Sequence, residues 1–283
     1  LQYQVYLQCQ ETNKNVPKCV ATKSKRNILV LYQYRLVSVL LLQPLRVSRM
    51  RSVLSLSVVL LLCLALGVVC VALWDGSGLQ FNWHPVLMTT GLVVLYGYGS
   101  VVYRVPFTWG QSKLPWKLLH AGLMLLALLL SVVGLCAVFG NHNKNHIPNL
   151  YSLHSWIGLT AVILFALQWV AGFAGFLLPF SPLSFRKLLK PFHVWLGGSI
   201  LTLSVAACIS GINEKLFFVL KGDNHTASYS NLPPEAVHAN SLGVLIVAFG
   251  LVVLRILTNK SWQRPEPDQQ ETAYTVGKCL RLM

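Results

Sequence analysis

The sequence predicts an all-α membrane protein of six transmembrane helices, in which helices two to five form a central four-helix bundle. Three observations carry that prediction. The 283 residues are 54% hydrophobic and only 11% charged, whereas a globular domain carries about 25% charged residues. Six stretches reach the roughly 20 mostly apolar residues that a membrane crossing needs. Short segments with Pro, Gly, Asn or charges separate them and leave no room for a large soluble domain.

The spans read as Val53–Trp74, Phe81–Tyr103, Lys117–Phe139, Tyr151–Leu178, Phe192–Ile212 and Val237–Thr258. Backbone polar groups in lipid must be satisfied within the segment, so each reads as a helix. Val53–Trp74 exceeds the 7–15 apolar residues of a signal peptide and reads as an uncleaved first helix. Before it, residues 1–49 hold eight Lys/Arg against one acid, Glu11. Their apolar run Ile28–Leu42 is short and interrupted by Arg35. No methionine opens the chain, and Met50 stands directly before the first span. Residues 1–52 are therefore expected to be a disordered basic extension or upstream translation. Residues 53–260 form the membrane domain, and residues 261–283 a tail.

The net charge of +15 could point to nucleic acid. Its distribution argues against that, because the basic residues lie between apolar runs and not on one soluble patch. They orient the bundle instead. Arg104, Lys113 and Lys117 lie in one loop, Arg186, Lys187 and Lys190 in another, and Arg255, Lys260 and Arg264 open the tail. The loops between carry Asp75, then Lys144, then a mixture with Glu214, Asp223 and Glu235. The first set is expected to be cytosolic, with both termini. The sequon Asn224-His225-Thr226 then falls on the far side, where glycosylation occurs. Asn259-Lys260-Ser261 falls in the cytosol. No CxxC pair occurs among the seven cysteines, so neither a disulfide framework nor a thiolate zinc site is indicated.

Four histidines lie inside spans: His84 in "FNWHPVLM", His120 in "KLLHAGLM", His154 in "YSLHSWIG" and His193 in "PFHVWLGG". Each sits about one turn into its helix, in four consecutive helices. A single one reads as interfacial or hydrogen-bonded to a neighbour. Four at equivalent depth read as functional, since ionisable groups inside spans are costly. Consecutive helices are antiparallel, so His84 is level with His154, and His120 with His193. Hard cations want oxygen ligands, and structural zinc wants four ligands at one level. Two facing imidazoles suit the axial positions of a haem iron, with no position left open for oxygen. Two such haems would form an electron path across the membrane. Without CxxCH they would be non-covalent, b type. Gly97 and Gly134 fall near the opposite haem level, where they make room for a macrocycle or serve ordinary helix packing.

The four histidines, their spacings of 36, 34 and 39, and "YSLHSWIG" resemble the cytochrome b561 family over about residues 53–260. The similarity is greatest to its lysosomal and late-endosomal members. The resemblance implies two haems b per chain, ascorbate as cytosolic donor, ferric iron or monodehydroascorbate as luminal acceptor, and a homodimer. It also implies a late-endosomal or lysosomal membrane, with the plasma membrane as the other location. Arg104, in "VYRVPF", matches the family's basic residue at the end of the second helix.

Ascorbate is a monoanion, so its site needs cations. Arg104, Lys113, Arg186 and Lys187 are the candidates, with Lys117 and Lys190 read as structural. The outer mouth falls to "GNHNKNHIPNLYSLH", with Asn141, His142, Asn149, Tyr151 and Ser152 as candidate contacts to the acceptor. Imidazole and amide groups suit a ferric chelate. The function expected is a transmembrane ascorbate-dependent ferric reductase. Regeneration of luminal ascorbate from its radical is the near variant. A haem-free transporter with histidines along a metal path is the reading from another class, and a non-catalytic scaffold would leave the fourfold histidine placement unexplained.

Overall fold

A computed structural model of the chain describes residues 9–11, 17–19, 47–58 and 79–264. Two compact units emerge, Met50–Gln263 and a second made of the two ends of the chain. In the second, Cys9–Glu11 pairs antiparallel with Pro17–Cys19. The rest of the basic extension up to residue 46 and the tail beyond residue 264 lie outside the described residues, and residues 47–52 belong to the first helix described below.

The larger unit is helical. Helix α1 covers 47–58, and the remainder of the first expected span lies outside the described residues. Helix α2 runs Leu79–Met88, loosens into a π-helical segment Thr89–Leu95, and returns to α geometry over Tyr96–Val101, with one 3₁₀ turn Val102–Arg104. Pro85 sits inside its first segment. Proline removes an N–H and crowds the preceding turn, which is a usual cause of local rewinding. Helix α3 spans Lys113–Lys144. Helix α4 spans Leu153–Gly172 and closes in a π segment, Phe173–Leu177. Helices α5 and α6 span Leu183–Val219 and Pro234–Thr258. Among the described residues, α2 to α6 are each long and apolar enough to cross a membrane.

Helix α5 starts at Leu183, nine residues before the apolar stretch at Phe192. The extra residues, LSFRKLLKP, are basic and amphipathic, so hydropathy does not see them as span. The helix passes through Pro191, the last of those nine.

Packing follows residue size. The buried positions of α3 are Met124, Ala127, Ser131 and Gly134, at intervals of three and four, which put one narrow face of small side chains inward. Opposite them, Gly91 of α2 lies so close that an added Cβ would stand 2.8 Å from the Ala127 carbonyl oxygen. Tyr96, Phe165, Ile200, Leu201, Ile246 and Phe249 fill the centre and are at most 2% exposed. Leu125, Leu126, Leu129, Val132 and Val133 of α3 are exposed on the outside, as a lipid-facing helix requires. The connections leave α2 and α4 starting on one face, and α3 and α5 on the other.

Candidate functional site: two histidine levels and two mouths

The helix starts bring the four histidines into two facing pairs. His84 and His154 have ring centroids 6.0 Å apart, with planes at 89°. His120 and His193 are 6.2 Å apart, at 72°. A metal–imidazole bond is about 2 Å long. Two such bonds on opposite sides of one metal, plus the distance from each nitrogen to its ring centre, come to about 6.3 Å. Both pairs have that spacing.

Each ring is also turned. His84 Nδ1 donates to the Gly134 carbonyl at 3.0 Å, His120 Nδ1 to Gly99 at 2.7 Å, and His154 Nδ1 to Ala207 at 2.8 Å. A carbonyl only accepts, so Nδ1 carries the proton in all three. Nε2 keeps its lone pair for a metal. His193 differs, since its buried Nδ1 has no partner among the described residues. Its backbone carbonyl accepts from Gln168 Nε2 at 2.6 Å, and Phe176 packs edge-on at 5.2 Å. His84 and the Gly99 carbonyl that marks the second level are fifteen residues apart on α2. That separates the levels by on the order of 20 Å.

Glycines make room for two of the rings. A Cβ on Gly211 would stand 2.7 Å from His154, and one on Gly172 would stand 3.0 Å from His193. The sequence had offered Gly97 and Gly134 either as room for a macrocycle or as ordinary helix packing. Gly97 instead accepts the Phe249 ring, which a Cβ would meet at 2.6 Å. Gly134 does lie at the His84 level, but its contribution is the carbonyl.

A cavity of about 630 Å³ opens at the His84/His154 level and is lined mostly by apolar side chains. That is within the 300–1,000 Å³ usual for cofactor and ligand sites. Ring spacing, tautomer and cavity together fit a haem between His84 and His154, and the His120/His193 pair has the same spacing. Among the described residues, no three His, Cys, Asp or Glu side chains gather closely enough to hold a bare metal ion.

The cavity rim contains all five residues expected at the outer mouth: Asn141, His142, Asn149, Tyr151 and Ser152. His142 stacks on Tyr151 at 6.4 Å. Glu214, a residue the sequence analysis had used only for loop charge, lies beside the Tyr151 hydroxyl and acts on it. Desolvation, then the neighbouring Glu214, raise the phenol's pKa, so the hydroxyl stays protonated. Ser152 caps α4, its Oγ accepting from the Ser155 N–H at 3.3 Å. Asn149 donates to Asn143 Oδ1 at 2.8 Å. The next residue, Leu150, has φ 57°, uncommon outside glycine, and its carbonyl accepts from Trp156 Nε1 at 3.0 Å.

The opposite mouth carries the basic residues. Lys113 and Lys187 are exposed. Arg186 donates to the Leu178 carbonyl at 2.9 Å, while its buried Nε has no partner among the described residues. Lys117, read from sequence as structural, reaches inward to the Phe176 carbonyl at 3.2 Å. Arg186 and Lys113 are near enough to act on it electrostatically, so three cations converge at the closing turn of α4. Arg104 lies deeper than the other basic residues of this mouth. It is only 7% exposed, and its guanidinium donates to the Leu257 and Asn259 carbonyls at 2.8 and 3.1 Å. Those two bonds cap the end of α6.

Asn224 is exposed in the loop between α5 and α6. Asp223 organises that loop by accepting from the His225 and Thr226 amides and the Thr226 hydroxyl at 3.0, 2.8 and 2.9 Å.

The eukaryotic cytochrome b561 family matches residues 83–219, a segment that includes all four histidines. The lysosomal membrane ascorbate-dependent ferrireductase CYB561A3 of Danio rerio is 60% identical over 239 residues, covering 80% of this chain and 97% of its own. The Homo sapiens protein of the same name is 62% identical over 194 residues, 69% of this chain and 79% of its own. The plasma membrane ascorbate-dependent reductase CYBRD1 of Xenopus laevis is 46% identical over 219 residues, 73% of this chain and 76% of its own. With paired histidines in the frame described above and these similarities along most of its length, the chain belongs to the eukaryotic cytochrome b561 family.

Proposed function

We propose that the protein is a transmembrane ascorbate-dependent ferric reductase of the late-endosomal and lysosomal membrane. The observation that carries it is the pair of histidine levels with imidazole spacings of 6.0 and 6.2 Å. His84 with His154, and His120 with His193, would each hold one haem b. A haem with two axial histidines cycles between ferric and ferrous forms, one electron at a time.

The chain's own residues do the rest. On the cytosolic side Lys113, Lys117 and Arg186 gather positive charge around the mouth near His193 and attract the ascorbate monoanion. The unpartnered Arg186 Nε supplies a donor for one of its oxygens. Lys187 stands further out and contributes long-range attraction. The carbonyls of Gly99, Gly134 and Ala207 fix the tautomers of three histidines and raise their basicity. Tightly packed Tyr96 and Phe165, edge-to-face at 4.8 Å, lie between the levels and keep water out. On the luminal side Asn141, His142, Asn149 and the protonated Tyr151 offer hydrogen bonds and imidazole to a ferric chelate at the cavity rim. Ser152 holds the start of α4, and with it His154, in place. An N-linked glycan on Asn224 belongs to the same orientation. So does a homodimer, on family likeness alone, and native mass spectrometry of the detergent-extracted protein checks it.

The test is an optical spectrum of the purified protein before and after ascorbate, with haem counted per chain. Two low-spin b haems reduced by ascorbate and reoxidised by ferric citrate are expected. His120→Ala should remove the cytosolic haem and abolish ascorbate oxidation. His154→Ala should spare the first reduction and block transfer to iron. Full haem content and transfer in both variants would overturn the pairing.

A further inference from the structure

The luminal cavity has one permanent cation in its wall, Lys215, one turn before the end of α5. A lysine near a helix C-terminus ordinarily complements the dipole and extends its amine toward water. This one is partly buried, and its Nζ lies 4.4 Å above the centre of the Phe81 ring. The Phe81 and His84 rings are 6.4 Å apart. The ammonium is thus within about 11 Å of the His84 ring. The one carboxylate in the cavity wall, Glu214, lies beside Tyr151. Its neighbour Lys215 leaves the helix in a different direction and stays over the aromatic ring. An ammonium in a largely apolar wall, held among the described residues by a ring face and no counter-charge, is a poor structural device, because its desolvation is not offset. It is a good receptor for an anion that arrives from outside the chain.

We infer that Lys215 binds a carboxylate brought into the luminal cavity. Two sources share that chemistry: a propionate of the haem held by His84 and His154, or a carboxylate of the chelate that carries ferric iron. The inference rests on the function proposed above. Phe81 holds the amine at the height of His84, so either carboxylate would be fixed beside the electron-donating level. Glu214 and Tyr151 complete the mouth without competing for the ammonium.

The experiment compares wild type with K215Q and K215R, each purified with haem. Haem per chain, the midpoint potential and EPR signal of each haem, and reduction rates with ferric citrate and with hexaammineruthenium(III), a carboxylate-free acceptor, are measured. If the carboxylate is a propionate, K215Q lowers the luminal haem's potential, alters its EPR signal, and slows both acceptors. If it belongs to the chelate, both potentials hold and the KM for ferric citrate rises roughly tenfold, with the ruthenium complex unaffected. K215R stays near wild type in either case. Unchanged potentials and unchanged KM in K215Q overturn the inference. So does loss of both haems from K215Q, which would make Lys215 a strut between helices. A wild-type protein without haem would instead overturn the proposed function.

Discussion

Gly211 of α5 lies against the imidazole of His154 on α4. A Cβ added to Gly211 would stand 2.7 Å from His154 Cε1 and 2.8 Å from Nδ1. The ring cannot swing away cheaply, because Nδ1 is tied to the Ala207 carbonyl at 2.8 Å one turn earlier on the same helix. Gly211→Ala should therefore displace His154 and lose the luminal haem, taking the count from about two per chain toward one. An overpacking cost of about 1–3 kcal/mol accompanies it. Gly172→Ala, with 3.0 Å to His193, should be milder. A pyridine haemochrome assay on both variants checks the order.

Arg104 separates structure from substrate binding. Its two bonds to the end of α6 are made from a nearly buried guanidinium. Truncation strands the Leu257 and Asn259 carbonyls. Arg104→Ala should destabilise the protein by about 2–4 kcal/mol. Arg104→Lys should recover only part, since an ammonium lacks the fork that spans both carbonyls. The KM for ascorbate of whatever protein folds should match wild type. Thermal unfolding in detergent, paired with steady-state kinetics, measures both.

The histidine frame was legible because an ionisable side chain in an apolar stretch stands out, and antiparallel alternation fixes which histidines share a level. The partners that aim the rings were not. The acceptors at Gly99, Gly134 and Ala207 are backbone carbonyls, which every residue carries. Gly172 and Gly211 are two of 20 glycines, and only proximity to an imidazole distinguishes them. Lysines and arginines in loops obey topology whatever else they do. Sequence could not tell that Lys117 turns inward to Phe176 while Arg104 is spent on α6. Helix ends were hidden for a related reason. Hydropathy measures the lipid-spanning part, and α5 begins before it, in a basic amphipathic run.

With Lys113, Lys117 and Arg186 as the ascorbate mouth proposed above, ascorbate affinity should be sensitive to each. Lys117→Ala and Arg186→Ala should each raise the KM for ascorbate by roughly 3–10-fold, with little change in the rate of ferric citrate reduction by pre-reduced protein. Lys187→Ala, at an exposed position, should change the KM by less than about twofold. Raising ionic strength should weaken ascorbate binding in wild type and less so in Lys117→Ala, because screening acts on charge that the variant no longer has. Stopped-flow reduction at two salt concentrations distinguishes this from a loss of packing, which salt would not mimic.

The loop that carries Asn224 is built to keep its shape in acid. Asp223 is fully exposed, and its carboxylate accepts from the His225 amide and from the hydroxyl and amide of Thr226. Those bonds, with a smaller contribution from Lys221, hold its pKa below the ordinary value of 3.8. For a carboxyl depressed in the folded state, the stabilising effect is present above the unfolded pKa and is lost as pH falls through the folded one. The loop should thus stay set at about pH 4.5, and open only on acidification below the usual carboxylate range. Asp223→Asn removes the charge and most of the pH dependence with it. Hydrogen exchange of the His225 and Thr226 amides across that range checks the prediction. Protection that falls already between about pH 6 and 4.5 would contradict it.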